Sequence, residues 1–444
     1  MIIRTLHVCY SFPPDPPGGT ELYVRALGRE LRALGLGVVI AAPGVRNETY
    51  EMDGLRVRRF AHGTHRDLTE LYTGDPTAAT NVARLLEEES PDVVHLHALT
   101  PACSTEIARM SRKRGSGVVF TYHTPTVSCQ RGTLMEGGRA PCDGRMEVAR
   151  CTACALDGLG VGGPAGDLLA RVPTRMGDWI GTMGLQGGAW TALRMSDLVA
   201  RRQQEVSDLF RVTDVLVALT PWTRALFMAN GVSESKIVVV PHGITFSSHV
   251  GGTRPRDGRL RIAHLGRLDP VKGTGLLLRA LRGMPDSPIA LDVYGIVQND
   301  LESSRLESLQ SEAGSDGRIR FLAPIPPDDV VTRLNDYDMV AVPSQWMETG
   351  PLVVLEAFAA GRPVLGSALG GIADRVQDGV NGVLVTPHDS LEAWQQALRR
   401  CADDRGLIEQ LTAGVVPPRT MADVAREMDD IYRRVAVPAR AATD

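Results

Sequence analysis

What this sequence lacks narrows it first. It carries no excess of one charge: 48 lysines and arginines stand against 52 aspartates and glutamates, a formal net charge of −4. Nothing in that balance attracts nucleic acid. No uninterrupted apolar run is long enough to span a bilayer. The opening stretch "MIIRTLHVCYSF" meets "PPDPPGG" too soon to serve as a secretory signal. The expectation is a cytoplasmic protein, with peripheral contact at the inner face of the membrane left open. Without an export signal, disulfides are not expected among the seven cysteines. No internal repeat or low-complexity block stands out.

What is present is ordinary globular material. The 444 residues, 43% hydrophobic and 23% charged, suffice for two α/β domains or three. Short Val/Ile/Leu-rich runs alternate with helical patterns, the signature of a parallel sheet with crossover helices. "LHVCYSF" reads as the first strand. It leads through a Pro/Gly loop into a helix with Leu22, Ala26, Leu27, Leu31 and Leu34 on one stripe. "GVVIAAP", "DVVHLHA", "GVVFTYH", "DVLVALT" and "KIVVVPHG" continue the series. After a polar, Gly/Pro-rich stretch, a second series runs from "RIAHLGRL" through "IALDVYG", "RIRFLAP", "DMVAVPS" and "RPVLGS" to "GVLVTP". The expected domains are 1–244, a linker at 245–259, and 260–420, with 421–444 a helix able to cross back to the first domain. Two doubly wound domains of this kind hold a ligand at the carboxyl ends of their strands.

The stretch "ETGPLVVLE" puts a glutamate at each end of an apolar run. Thr349 or Gly350 can cap a helix with Pro351 at its first position. The unbonded N–H groups of Leu352 and Val353 then make an anion site at the helix start. Glu348 and Glu356 beside a phosphate site suit hydroxyl groups, which donate to carboxylates. A nucleotide sugar supplies both. The plainer reading is a solvated glutamate and one paired with an arginine. "HLGRLDPVKG" brings Arg267 and Lys272 into one strand-to-helix loop, where two cations would neutralise a diphosphate or, more plainly, form surface salt bridges. Gly370 with Gly371, and Gly18 with Gly19 in "PPGGTE", let backbone approach a ligand closely.

"GGTE", "HGI", "GRLDPVKG", "ETGPLVVLEAFAAGRPV" and "GGIADRVQDGVNGVLV" together resemble the serial signatures of retaining glycosyltransferases of family four. The resemblance spans nearly the whole chain. It implies an α/β GT-B fold, two doubly wound Rossmann-like domains facing a cleft, with a subgroup insertion carrying four cysteines. By that resemblance Glu348 contacts the donor sugar and Glu356 the ribose. Arg267 and Lys272 bind the diphosphate, with Gly18, Gly19, Gly350, Leu352 and Val353 lining the donor site. His123 in "FTYHTP" lies near the reacting carbon, although a buried histidine bonded to backbone is the plainer reading. His97 is a weaker candidate, and His242 reads as a hinge-loop residue. No carboxylate is placed as a nucleophile, so the resemblance implies front-face retention without a catalytic metal. The partners implied are a nucleoside-diphosphate sugar and a saccharide or lipid-linked acceptor, with no nucleic acid. A sugar-nucleotide epimerase of the same architecture is the alternative, and a binding protein with a dead site a further rival.

Three features remain. Cys129, Cys142, Cys151 and Cys154 are spaced Cys-x12-Cys-x8-Cys-x2-Cys within an insertion at about 126–205. Four thiolates suit a structural zinc first, with unligated thiols the next reading and an iron–sulfur cluster, which uses the same ligand set, after that. The stretch 166–202 mixes Arg171, Arg175, Arg194, Arg201 and Arg202 with Trp179 and Trp190. It reads first as an amphipathic insertion packed on its domain and second as a membrane-surface element. "GLGVGG" (158–163) matches a dinucleotide pattern but follows no strand and precedes Pro164, so it is set aside.

Overall fold

Among the described residues, fourteen of the sixteen strands fall into two sheets, and each sheet belongs to its own part of the chain. The computed structural model describes residues 2–63, 74–185, 187–246, 258–297 and 299–440. The chain divides into Met1–Pro241 with Met421–Asp444, and His242–Thr420. Most of the expected linker, 247–257, lies outside the described residues.

The first unit's sheet contains β1 (Arg4–Val8), β2 (Gly37–Gly44), β3 (Glu48–Met52), β4 (Leu55–Ala61), β5 (Val93–Leu96), β6 (Gly117–Thr121), β9 (Val215–Ala218) and β10 (Ile237–Val239). β7 (Met135–Glu136) and β8 (Ala140–Pro141) form a separate small hairpin. The order β10-β9-β6-β5-β1-β2-β4-β3 is parallel except for β3. β3 and β4, absent from the sequence reading, are joined at Asp53-Gly54. Both turn residues have positive φ (50° and 71°), the requirement of a tight two-residue hairpin.

The helix Gly19–Ala33 buries Tyr23, Val24, Leu27 and Leu31 against the sheet. That face is rotated from the expected stripe: Leu34 is exposed, because Tyr23 and Val24 offer more apolar surface to the core. The last helix, Met421–Arg440, belongs to this first unit. Val424, Met428, Ile431 and Tyr432 join the same core cluster as Leu27, Leu31 and Val119. A Cβ on Gly117 would stand 2.7 Å from the Val435 carbonyl, so this contact needs a glycine in β6.

The second unit holds β11 (Leu260–Arg267), β12 (Ile289–Ile296), β13 (Ile319–Leu322), β14 (Met339–Val342), β15 (Val364–Ser367) and β16 (Gly382–Val385). The order is β13-β12-β11-β14-β15-β16, all parallel. Successive strands leave β11 in one direction, and β14 opens the other. Loops that follow β11 and β14 therefore diverge around a crevice at the sheet's carboxyl edge. In the first unit the corresponding switch lies between β1 and β5. Among the described residues, no helix is long and apolar enough to cross a membrane.

Candidate functional site

The second unit's switch point is where the expected site residues gather. β11 ends at Arg267, and a short 3-10 turn, Pro270–Lys272, follows it. Asp269 caps that turn by accepting from the Val271 N–H at 3.0 Å. Gly273 then takes φ +73°, and a Cβ there would lie 1.9 Å from the Pro343 carbonyl. Only glycine lets the β11 loop lie against the exit of β14.

That close approach delivers Lys272 to Glu348. The ammonium donates to Glu348 Oε1 at 2.7 Å, and the Ser344 hydroxyl donates to the same oxygen at 2.8 Å. Lys272 Nζ also stands 4.9 Å from the Trp346 ring centroid, within cation–π range. Glu348 is only 7% exposed. Burial pushes its carboxyl up, but Lys272 together with the Trp346 and Ser344 side-chain donors outweighs burial and holds it below the usual carboxylate range. The lysine has three N–H donors, so it can hold Glu348 and still offer protons to a phosphate. Arg267 is engaged separately, 3.7 Å from Glu302, in a loose and partly exposed pair. The sequence singled out Lys272 and Glu348 but missed Ser344 and Trp346; their place within four residues of Glu348 was the available signal.

The helix Leu352–Ala359 begins one residue later than expected. Pro351 is itself the cap, with extended backbone, rather than the first helical residue. A proline costs nothing there, since a cap needs no N–H of its own. Leu352 and Val353 are thus the first-turn residues, whose N–H groups have no acceptor within the helix. Glu356 lies on the second turn, half-buried, and burial pushes its carboxyl up to about 7. Gly350 accepts from or faces His242, whose Nδ1 lies 3.0 Å from the Gly350 carbonyl. His242 is buried in the second unit, where burial and nearby Arg375 push its imidazole down to about 3. Gly370 and Gly371 approach protein rather than ligand: Gly371 N–H donates to the Glu348 carbonyl at 2.6 Å. A Cβ on Gly370 would come within 2.8 Å of that same oxygen. The glycine pair therefore sets the position of the Glu348 loop.

In the first unit Gly18 caps the helix Gly19–Ala33, and the Glu21 carboxylate accepts from the Gly18 N–H at 2.9 Å. Gly19 is exposed at the helix start. His123 lies two residues beyond β6, buried, with its ring 4.9 Å from Tyr23. Its partners were not foreseen. His97 Nδ1 lies 3.0 Å from His123 Nε2, and His97 Nε2 lies 3.1 Å from His7 Nδ1. His7 Nε2 reaches Thr5 Oγ1 at 3.2 Å, and that hydroxyl donates its proton to the Gly37 carbonyl. The direction of the chain follows from that end. With its own proton given to Gly37, Thr5 accepts from His7 Nε2, and when all three rings are neutral that end places each proton on Nε2. His123 thereby presents Nδ1 as an acceptor, the form suited to a sugar hydroxyl. Burial pushes the His7 imidazole down to about 3, which keeps it neutral. His7 and His95 are register partners across β1 and β5, and "HLH" puts His95 and His97 on one face. His7, His95 and His97 also place one nitrogen each within 4.8 Å of one another. Their ring nitrogens are committed to this network, with His95 held by Tyr432 and Thr121 at 2.7 Å each.

The four-cysteine segment folds as the β7–β8 hairpin followed by the helix Val148–Gly158. Cys142 follows β8, and Cys151 and Cys154 share a face of the helix. All four thiols are half-buried and line one cavity. Of the five arginines in 166–202, Arg194 is fully buried and Arg201 pairs with Asp197 at 3.0 Å. Trp179 and Trp190 are exposed, as are Arg171 and Arg175. "GLGVGG" follows a helix and not a strand.

Residues 18–243 match a family described as "Glycosyl transferase 4-like domain", and residues 251–414 match "Glycosyl transferases group 1". A D-inositol 3-phosphate glycosyltransferase of Corynebacterium diphtheriae is 30% identical over 50% of this chain and 57% of its own length. That of Corynebacterium kroppenstedtii is 34% identical over 38% of this chain and 40% of its own. The chain thus spans roughly half the length of the curated relatives it matches. Sucrose-phosphate synthase from Thermosynechococcus elongatus superposes with a TM-score of 0.68 at 18% identity, covering 98% of this chain and 100% of that one. Anabaena HepE in complex with UDP-glucose gives a TM-score of 0.61 at 17% identity, over 97% and 100%. The fold is GT-B. These matches give no support to the epimerase alternative.

Proposed function

Since this chain belongs to the glycosyl transferase 4-like family, we propose that it moves a sugar, with retention of configuration, from a nucleoside diphosphate to a saccharide or lipid-linked acceptor. The observation that carries this reading is the buried Lys272–Glu348 pair at the second unit's switch point, beside the start of the helix Leu352–Ala359. Phosphate oxygens fit Lys272, Arg267 and the first-turn N–H groups of Leu352 and Val353. Hydroxyls of the transferred sugar fit Glu348, and those of the ribose fit Glu356. UDP-glucose bound to the Anabaena neighbour supports a donor of this class.

In the step proposed, the bond from the sugar's anomeric carbon to phosphate oxygen breaks, and the diphosphate departs with the electron pair. The acceptor hydroxyl attacks from the same face and passes its proton to the leaving phosphate. Lys272 and Arg267 stabilise the departing charge, so the step calls on no divalent ion. The family resemblance further implies that His123 contacts the donor sugar. Trp179, Met183 and Trp190, exposed beside Arg171 and Arg175, would rest on an anionic lipid surface when the acceptor is lipid-linked.

The test is a panel of nucleotide sugars, scored first by thermal stabilisation and then by transfer. A stabilising donor whose product keeps the anomeric configuration supports the proposal. Stabilisation by none of the panel, or an inverted product, overturns it.

A further inference from the structure

The four cysteines have no part in the proposed transfer, yet they converge. Cys129, Cys142, Cys151 and Cys154 come from three separate elements and all line one small cavity of about 30 Å³. None is in a disulfide. The cavity wall is otherwise apolar in part, from Leu134, Met135 and Met146, with Arg131 and Arg150 at its edge. Two sulfurs already accept backbone hydrogen bonds: Gly144 N–H donates to Cys142 Sγ and Gly137 N–H to Cys154 Sγ, both at 3.4 Å. Both glycines have positive φ (75° and 55°), so the loop geometry that aims these donors is a glycine geometry. Arg150 adds a donor 3.9 Å from Cys142 Sγ while holding Glu136 and Asp143. Donors of this kind stabilise thiolates and tune metal centres.

The spacing of the sulfurs decides what they hold. A single zinc with bonds of about 2.3 Å would draw four thiolates to about 3.8 Å from each other. Among the described residues, the sets of three ligand atoms within 4.8 Å of one another include no three of these sulfurs. They stand apart around a cavity, whereas an iron–sulfur cluster lets each thiolate bind iron while the inorganic core fills the space between. We infer that Cys129, Cys142, Cys151 and Cys154 ligate an iron–sulfur cluster that orders the hairpin and the helix Val148–Gly158. This reverses the order in which the ligand set alone ranks zinc and iron. The helix is also held by packing: its Ala155 and Leu156 meet Met195 and Val199, with Val148, Val161, Leu169 and Ala192 around them.

The full chain, purified without oxygen and then incubated with ferrous iron and sulfide, is the material for the test. The expected protein is brown, with iron and acid-labile sulfide in equal amounts and about two to four irons per chain. Mössbauer spectra of the wild type should show cluster iron, which separates a bound cluster from adventitious iron without any variant. Cys151→Ser and Cys142→Ser should each lose most of the iron, whereas Cys401→Ala, buried in the other unit, should keep it. Colourless protein with one zinc per chain overturns the inference, as does wild type that takes up no iron after reconstitution. Iron retained in full by both folded serine variants overturns it equally.

Discussion

His97 lies between two other histidines: its Nδ1 is 3.0 Å from His123 Nε2 and its Nε2 is 3.1 Å from His7 Nδ1. One hydroxyl at the far end, Thr5, orders the protons along all three rings. The ring orientation of His123 is thus coupled to a hydroxyl in β1 through two other histidines.

His97 is accordingly a positioning residue. Replacing it with leucine should lower kcat by roughly 10-fold, the scale of losing one orienting hydrogen bond, with a smaller change in KM. His97→Gln, which can still accept at that position, should recover part of the loss. Nitrogen NMR should report His123 protonated on Nε2 in the wild type. Protonation on Nδ1 would reverse the chain as drawn.

Glu348→Gln should reduce transfer at least about 100-fold, the scale of losing an electrostatic contact in a buried site. The fold should survive with about 1–3 kcal/mol less stability, since Lys272 loses its charged partner. The carboxyl is depressed in the folded chain, so its contribution is present above the unfolded value and lost as pH falls through the folded one. The variant should therefore lack part of the wild type's acid-side destabilisation. Near wild-type transfer by a folded variant would remove Glu348 from the donor site.

Glu356 supplies a pH dependence in a higher window, because its carboxyl is shifted up where that of Glu348 is shifted down. Burial pushes its carboxyl up to about 7, and ribose hydroxyls donate more strongly to the ionised form than to the protonated one. Donor affinity should therefore rise with pH through that value and level above it. Below it the affinity should fall by up to roughly tenfold per pH unit. Calorimetric titration of the nucleotide sugar at several pH values gives the profile, and Glu356→Gln should flatten it. A wild-type profile already flat from pH 6 to 8 would rule out this role.

Gly273→Ala should be severe although the side chain gained is only a methyl. The positive φ costs about 1–2 kcal/mol by itself. The Cβ then meets the Pro343 carbonyl, which must move. We expect a loss above about 3 kcal/mol in thermal or urea unfolding, together with weakened binding of nucleoside diphosphate as Lys272 shifts. A change smaller than the strain alone would mean the loop adapts freely.

The alternation of strand and helix was plain in the sequence because buried parallel strands are nearly continuous apolar runs. The strands end earlier than those runs, however: "FTYH" leaves β6 after Thr121, and His123 lies in the loop beyond it. The hairpin β3–β4 was missed because its residues are largely polar, although "MDGL" held the turn signal. Glu348 and Lys272 were legible as residues but not as partners, since 76 positions separate them. The histidine chain needed strand register, which no local pattern supplies. The cysteine spacing suggested a ligand set and could not show that the four thiols line one cavity.

The final helix has a consequence for the order of events during synthesis. Tyr432 reaches back 337 positions to hydrogen-bond His95 at 2.7 Å, and its neighbours fill the first unit's core. The second unit is an unbroken stretch, His242–Thr420. It can close while the first still waits for the helix that follows it off the ribosome. The half of the molecule begun first is the half finished last, and until then the surface meant for Tyr432 and Met428 stays open to chaperones and to aggregation.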